Sequence, residues 1–350
     1  MRLVRIDDLK GNEILAVPVL SESEVILIQS DTELKDEYIE KLKGLHLESV
    51  YIKEETDRKK HVYKVDETAE QSQVLVKKVL QRHIYKHNEE LKKVGQEAQR
   101  ILNSVLSEPE IINDITEIRN ISTDMYTHCV NVCILSTIMA IRLKMTEKQI
   151  RNVSMGAILH DIGLRYIQAP YMNINEDEMS PKDSFEYKKH TIYGYSSLED
   201  ENWLPETAKE IILFHHERVD GSGYPFKHHK EKLKMEVRLV SICDDFDSLV
   251  SGIGARKMKI YEAIEYIKMH SGHYYDTNIA NMLMSSVAVY PEGIKVVTNE
   301  GEVGIVIKQN KQMPERPVLK MLKYADGNDY NVDIRKDLSK LLTLFIVDTQ

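Results

Sequence analysis

The 350-residue chain is 42% apolar and 29% charged, the balance of a globular protein with room for two or three domains, not of a disordered or fibrous one. Its formal net charge of −9 argues against partners such as DNA, RNA or an anionic membrane surface, yet allows an anionic small ligand where metals and arginines set the local field. Cys129, Cys133 and Cys243 are too few and too scattered for a disulfide framework and read as small buried core residues.

The start, Met1 to Asp8, has no apolar stretch of signal-peptide type, and no later run approaches membrane-spanning length, so a cytoplasmic protein is expected. Residues 1–66 read as a small mixed α/β amino-terminal domain of regulatory type. Val17 to Leu20 and Val25 to Ile28 are strand-like, Asp36 to Lys43 has helical spacing, and Val50 to Ile52 suits a returning strand. The polar stretch Lys53 to Lys60 reads as a loop or linker. Residues 67–114 form a helical linker or dimerisation segment, with apolar residues from Val74 to Val105 at helical intervals and Lys and Glu between them. A homodimer through these long helices is a candidate assembly.

Helical patterns continue through Ile111 to Leu143, Glu147 to His160, Asp183 to Ser197, Thr207 to His216, Met235 to Val250 and Ile260 to Met269. No alternating strand pattern interrupts them, so residues 115–286 are expected to be an all-α block. From 287 to 350 the texture becomes strand-like, at Gly293 to Val297, Gly304 to Ile307, Val318 to Leu322 and Leu344 to Val347, with turn signals between. The fold class is therefore mainly α, a helical bundle with a small mixed amino-terminal domain and a small β carboxy-terminal appendage.

Within the helical block, His215 and His216 end the apolar run Ile211 to Phe214 and lead into Glu217-Arg218-Val219-Asp220-Gly221-Ser222-Gly223-Tyr224-Pro225. A stiff element thus delivers two adjacent imidazoles to the mouth of a shaped loop. His160-Asp161 ends another apolar segment and is followed by Ile162-Gly163. His128 and His190 each stand near the start of a helical pattern, and Asp244 sits on an apolar helix where an uncompensated carboxylate is costly. Taken singly, His128 or His190 reads as a hydrogen-bonded core or surface histidine and Asp244 as a salt-bridge partner. Together, one imidazole or carboxylate at the functional end of each of five helices fits a two-metal site with nitrogen and oxygen ligands, and the lack of a cysteine cluster argues against structural zinc.

On His128, His160-Asp161-Ile162-Gly163, His190 with Gly194, His215-His216-Glu217-Arg218, Asp220 to Pro225, and Asp244 with Asp247, the stretch from about Ile115 to Ala280 resembles the HD-GYP family, the cyclic di-GMP phosphodiesterase branch of the HD phosphohydrolases. The resemblance implies an HD-type helical bundle holding two, in some members three, divalent metals, often iron or manganese. Its ligands would be His128, His160, Asp161, His190, His215, His216 and Asp244, with Asp124 as the candidate ligand of a third ion. It further implies hydrolysis of cyclic di-GMP to linear pGpG, in some members on to GMP, by attack of a metal-bridging hydroxide, with His160 and Asp161 at the reacting centre. Two ions about 3.5–4 Å apart can activate a water and neutralise the phosphate together. Arg218, Gly223, Tyr224, Pro225 and Arg256 would position the nucleotide. Signalling proteins are candidate partners of the Gly-Tyr-Pro loop and the amino-terminal domain.

The chain departs from the family pattern at Leu164, where a lysine is usual, and at Ile253, where an arginine is common. An aliphatic side chain neither offsets phosphate charge nor donates a proton. Arg165, adjacent to Leu164, projects about 100° away on a helix. His228 and His229 read as solvent-exposed. Three readings follow: an active but slow phosphodiesterase, a metal-containing nucleotide sensor or interaction scaffold with little turnover, and a phosphohydrolase acting on another phosphodiester.

Overall fold

A computed structural model of the chain describes residues 2–6, 9–11, 13–15, 19–20, 26–28, 32–44, 49–52, 64–80, 89–108, 122–310, 312–330 and 332–349. The expected loop at Lys53 to Lys60, Val17 and Pro18 of the first expected strand, and the start of the helical pattern from Ile111 lie outside these residues. The chain divides into two compact units, Met1–Tyr63 and Lys64–Gln350.

In the first unit, β1 (Arg2–Arg5) pairs antiparallel with β6 (Ser49–Ile52). Two short antiparallel pairs, β2 (Glu13–Ile14) with β5 (Glu33–Leu34) and β3 (Val19–Leu20) with β4 (Ile26–Ile28), accompany the helix α1 (Asp36–Gly44). Ile6, Leu15, Leu34, Ile39, Leu42, Val50 and Ile52 share its core. The alternating burial of β6, with Val50 and Ile52 inward, is the period-two pattern of a half-buried strand.

The second unit is helical up to residue 286. Helices α2 (Lys64–Leu80) and α3 (Glu89–Leu106) pack on each other and on α4 (Met125–Arg142), and α3 packs on α5 (Glu147–Leu159). The segment expected to act as a linker thus lies against the bundle in one compact unit with it. Trp203 fills the gap at Gly95 of α3, where an added Cβ would meet its ring at 2.6 Å.

Helix α4 runs through the middle. It is long and apolar enough to cross a membrane by length and composition, which corrects the expectation that no segment approaches that length. Two thirds of it is buried, from Met125 and Cys129 to Ile138 and Met139, as a core helix would be. Asp124 caps it, and Thr127 completes the reciprocal capping box.

The remaining helices are α6 (Pro181–Lys188), α7 (His190–Leu198), α8 (Glu206–Phe214), α9 (Met235–Ser251), α10 (Ile260–Met269) and α11 (Thr277–Ser286). The single helical pattern expected over Asp183 to Ser197 is two helices meeting at Lys189. Helix α9 ends in a left-handed Gly252, a common stop for a helix. A five-stranded antiparallel sheet completes the unit, in the order β10 (Arg335–Asp337), β9 (Val318–Lys323), β8 (Val303–Lys308), β7 (Lys295–Thr298), β11 (Ile346–Thr349). The mainly α fold with a small β carboxy-terminal region is as the sequence predicts. Strand β10 and helix α11 were not anticipated.

Candidate metal centre

Five elements converge on one buried cluster. His128 lies in the first turn of α4, His160 and Asp161 directly follow α5, His190 opens α7, and His215 and His216 directly follow α8. Asp244 comes from the middle of α9, not from a helix end as expected. Close backbone contact fixes the meeting of α7 with the short 3-10 turn Ile162–Tyr166: a Cβ at Gly163 would fall 1.8 Å from the His190 carbonyl oxygen.

The seven side chains form two facing groups. The donor atoms of Asp161, His190, His215 and His216 lie within 4.8 Å of one another, as do those of His128, His160 and Asp244. Asp161 joins the two. Its Oδ1 is 3.4 Å from His190 Nε2 and 3.5 Å from His215 Nε2, while its Oδ2 is 3.5 Å from His160 Nε2 and 3.6 Å from His128 Nε2. Asp244 also spans, with Oδ1 3.0 Å from His128 Nε2 and Oδ2 3.9 Å from His216 Nδ1.

The surrounding backbone fixes the tautomers. His160 Nδ1 faces the Ala157 carbonyl at 2.7 Å, His190 Nδ1 the Tyr187 carbonyl at 2.6 Å, and His215 Nδ1 the Ile212 carbonyl at 3.0 Å. A carbonyl can only accept, so each Nδ1 carries the proton and each Nε2 presents a lone pair when the ring is neutral. Yet His190 Nε2 and His215 Nε2 stand 3.2 Å apart. Opposed lone pairs at that distance repel unless a cation lies beside them. Asp161 Oδ1 and Asp244 Oδ2, both buried, have no hydrogen-bond partner. Buried acceptors without donors are costly, and divalent metal removes that cost. The residues therefore fit a metal centre.

The electrostatics differ between the two groups: burial opposes charge on His160, but neighbouring carboxylates raise it well above the usual range, as they do His128. Burial disfavours charge on His190 and takes its pKa down to about 4, and burial with neighbouring His215 lowers His216 well below the usual range, so both are neutral at pH 7 and could hold a metal. Burial also opposes charge on His128, but the carboxylates of Asp244 and Asp247 outweigh it and raise its pKa to about 10. Burial works against ionised Asp161 and Asp244 as well, and the surrounding imidazoles overcome it and hold both carboxyls low.

Around this centre sits the Gly-Tyr-Pro loop. The Tyr224 ring stacks on His216 at 4.8 Å, and the Tyr224 N–H donates to the His216 carbonyl at 3.2 Å. Gly223 packs where a Cβ would meet the His216 carbonyl oxygen at 2.4 Å, so only glycine lets the loop return this closely. Pro225 follows Tyr224 through a cis peptide bond. Arg218 is drawn into a half-buried network: its guanidinium lies 2.8 Å from Asp245 Oδ2 and donates to Ser241 Oγ at 2.8 Å. It braces the loop from behind in this conformation.

Asp124, Arg256, Leu164 and Ile253 stand apart from both groups. Asp124, the candidate third-metal ligand, spends Oδ1 on the Thr127 N–H at 2.9 Å and Oδ2 on Lys77 Nζ at 2.8 Å. Its carboxylate serves as helix cap and ion pair, and it belongs to none of the possible metal groups among the described residues. Arg256 is exposed and paired with Glu178 at 2.8 Å. Leu164 and Ile253 are both buried apolar side chains. His229 is exposed as expected, whereas His228 is half-buried and stacks on Phe226.

Sequence patterning assigns no role to Asp247 or Glu217, two carboxylates of the motifs. Asp247 accepts from His128 Nδ1 at 2.7 Å and from Ser122 Oγ at 2.7 Å, orienting the imidazole from its far side. Its signal was its place one helical turn after Asp244. Glu217, almost fully buried, accepts from the Phe226 and His228 N–H groups at 2.7 and 2.8 Å and so ties the loop to the end of α8. An acid directly after two ligand histidines was the available hint.

Comparison with known proteins yields a protein-family profile described as "HD domain" over residues 78–279, more than half the chain, and one described as "KOW domain associated with HD domain" over residues 296–349. A cyclic di-GMP phosphodiesterase of Pseudomonas aeruginosa is 27% identical over 219 residues, covering 62% of this chain and 52% of that protein. A cyclic di-GMP phosphodiesterase of Thermotoga maritima is 30% identical over 177 residues, covering 50% of this chain and 47% of that protein. The chain spans about half the length of these curated relatives. Among solved structures, an HDG"Y"P protein of Bdellovibrio bacteriovorus superposes with a TM-score of 0.53 at 21% identity, over 81% of this chain and 98% of that one, a likeness of fold.

Proposed function

The chain belongs to the HD domain family, and on that premise we propose that it is a metal-dependent phosphodiesterase of the HD-GYP type, hydrolysing cyclic di-GMP to linear pGpG. The observation that carries this reading is Asp161, whose two carboxylate oxygens face two separate sets of inward-turned imidazoles. The curated relatives' names supply the substrate.

His190, His215 and His216 would hold one ion and His128, His160 and Asp244 the other, with Asp161 shared; nitrogen and oxygen donors without thiolate suit iron or manganese. When bound, two such ions polarise a phosphodiester and make water a nucleophile at neutral pH. The chain's own residues prepare that chemistry. Backbone carbonyls and Asp247 hold the imidazole tautomers, burial keeps His190 and His216 neutral, and Asp161 and Asp244 stay ionised. Tyr224 offers a ring face beside His216 on which a nucleobase can stack. Glu217 and the Arg218–Asp245 pair keep the loop in place.

The test is anaerobic purification with iron or manganese, metal quantification, and chromatography of cyclic di-GMP. Wild type is expected to carry two ions per chain and to form pGpG, while Asp161→Asn loses both properties. One feature favours a second reading, a nucleotide sensor with little turnover: apolar Leu164 stands where the HD-GYP family usually has lysine. Nucleotide binding by the metal-loaded protein with no product formed would establish that reading and overturn the first.

A further inference from the structure

The Tyr224 ring, stacked on His216, has an ion pair beside it. Lys188, at the end of α6 and two residues before His190, sets its Nζ over that ring, 5.4 Å from the centre. The same Nζ lies 2.5 Å from Glu176 Oε1. Glu176 reaches the tyrosine as well: burial raises the Tyr224 hydroxyl pKa most, and Tyr187 and the Glu176 carboxylate add to it. An aromatic face, an ammonium and a carboxylate thus meet at one point beside a histidine of the metal centre.

The pair sits in a braced frame. Glu176 opens the three-residue 3-10 turn Glu176–Glu178. Just before it, Asn175 Oδ1 accepts from the Arg256 N–H at 2.8 Å and Asn173 Oδ1 from the Lys257 N–H at 2.9 Å. Ser184 Oγ donates to Glu176 Oε1 at 3.2 Å. Among the described residues, this bond and the Lys188 contact both run to Oε1, so Oε2 keeps its capacity to accept. Lys188 spends one of its three N–H donors on Glu176 and keeps the others. With side chains 39% and 37% exposed, both charges are within reach of a ligand.

We propose that Lys188 and Glu176 read the edge of a nucleobase stacked on Tyr224, and that they select guanine over adenine. The inference rests on the phosphodiesterase reading above. Along its pairing edge guanine presents one acceptor, O6, followed by two donors, the N1–H and the 2-amino group. An ammonium only donates and an ionised carboxylate only accepts. Lys188 Nζ therefore matches O6, and Glu176 Oε2 matches the N1–H and the amino group beside it. Adenine reverses the order, with a 6-amino donor in place of O6 and a bare N1 acceptor next to it. There the ammonium meets a donor and the carboxylate meets a lone pair. Both mismatches cost binding, because polar groups that leave water must find partners. Partial exposure limits the discrimination, since water still reaches both charges.

The test is the ratio of kcat/KM on cyclic di-GMP to that on cyclic di-AMP, measured with the manganese-loaded full chain. The two substrates share one charge and one phosphodiester ring, so a general loss of metal, charge or stability cancels in the ratio. Wild type is expected to favour cyclic di-GMP by about ten- to a hundredfold. Lys188→Met is expected to lower that ratio about three- to tenfold, and Lys188→Arg, which still donates to O6, to restore most of it. Glu176→Gln is expected to lower it about tenfold, since a glutamine amide offers the adjacent donor and acceptor that an adenine edge complements. Mixed cyclic GMP–AMP gives a second readout. Guanine seated at Tyr224 presents one of its two phosphodiesters to the metals, so wild type should yield one linear isomer in excess and Glu176→Gln a more even mixture. A wild-type ratio near one, an even mixture from wild type, or a ratio unchanged in Lys188→Met or in Glu176→Gln overturns the proposal. Those outcomes leave wild-type turnover of cyclic di-GMP intact and so spare the phosphodiesterase reading. A wild type that does not act on cyclic di-GMP removes that reading and this proposal together.

Discussion

At the scale of single residues, the site is organised by groups that do not touch a ligand. Four of the five imidazoles are aimed by a partner on the far nitrogen, three by backbone carbonyls and His128 by Asp247. Leu164 is buried, 3% exposed, in the turn that follows Asp161. Leu164→Lys is expected to raise turnover of cyclic di-GMP and to lower Tm by about 2–4 °C, since a lysine there must carry its charge out of an apolar packing position. Kinetics and a thermal melt measure both, and an unchanged or lower rate would mean the pocket has been rebuilt around leucine. Burial pushes the thiols of Cys133 and Cys243 up to about 12. Neither should react with a disulfide reagent at pH 8 until the chain is unfolded, which thiol titration with and without denaturant will show.

At the scale of elements, the positions of helix ends decide which ligands meet. The turn after α5 reaches α7 only because Gly163 lets the His190 carbonyl approach, and α5 crosses α8 where Gly156 would set a Cβ 2.7 Å from Ile211. Gly163→Ala is therefore expected to push His190 away from Asp161, cutting bound metal well below two ions per chain and lowering Tm; intact metal content would show that the turn can shift without the ligands. The Gly-Tyr-Pro loop depends on Glu217 in a similar way. Hydrogen bonds to a charged group are each worth about 1.5–3 kcal/mol. Glu217→Gln should thus raise KM for cyclic di-GMP about tenfold while leaving the metals bound, a split that kinetics and metal analysis read separately.

For the molecule as a whole, a small set of ion pairs between elements sets its response to acid. Asp276, the cap of α11, meets Arg238 of α9 and Lys230 of the preceding loop, the latter at 2.9 Å. Burial raises the Asp276 carboxyl, but the Lys230 hydrogen bond, the Asn278 backbone and the Arg238 charge together take it below its ordinary value. With the folded pKa depressed, the unfolded state binds the proton more tightly. This contribution is complete above the unfolded carboxyl value of about 4 and is lost as pH falls through the lower folded value. Wild-type Tm should accordingly fall below about pH 4, and Asp276→Asn should be less stable at pH 7 but lose less on acidification.

The sequence alone named the residues of the candidate metal centre, His128, His160-Asp161, His190, His215-His216 and Asp244, because ligand chemistry needs particular residue types, and all but Asp244 stand near helix boundaries where patterning is easy to read. It also determined the helical block and the strand-rich carboxy-terminal region, since amphipathic periods of 3.6 and 2 are local properties. Tertiary structure decided what depends on direction and distance. Only packing shows that the Asp161 oxygens face two different sets of imidazoles, that Asp124 is consumed by its own helix cap and Lys77, and that Arg218 and Arg256 are already paired with acids. Only packing, too, makes α4 a core helix, because hydropathy cannot distinguish burial in protein from burial in lipid. Which atom a side chain faces is set by how helices cross, and that is written in contacts between residues far apart in the chain.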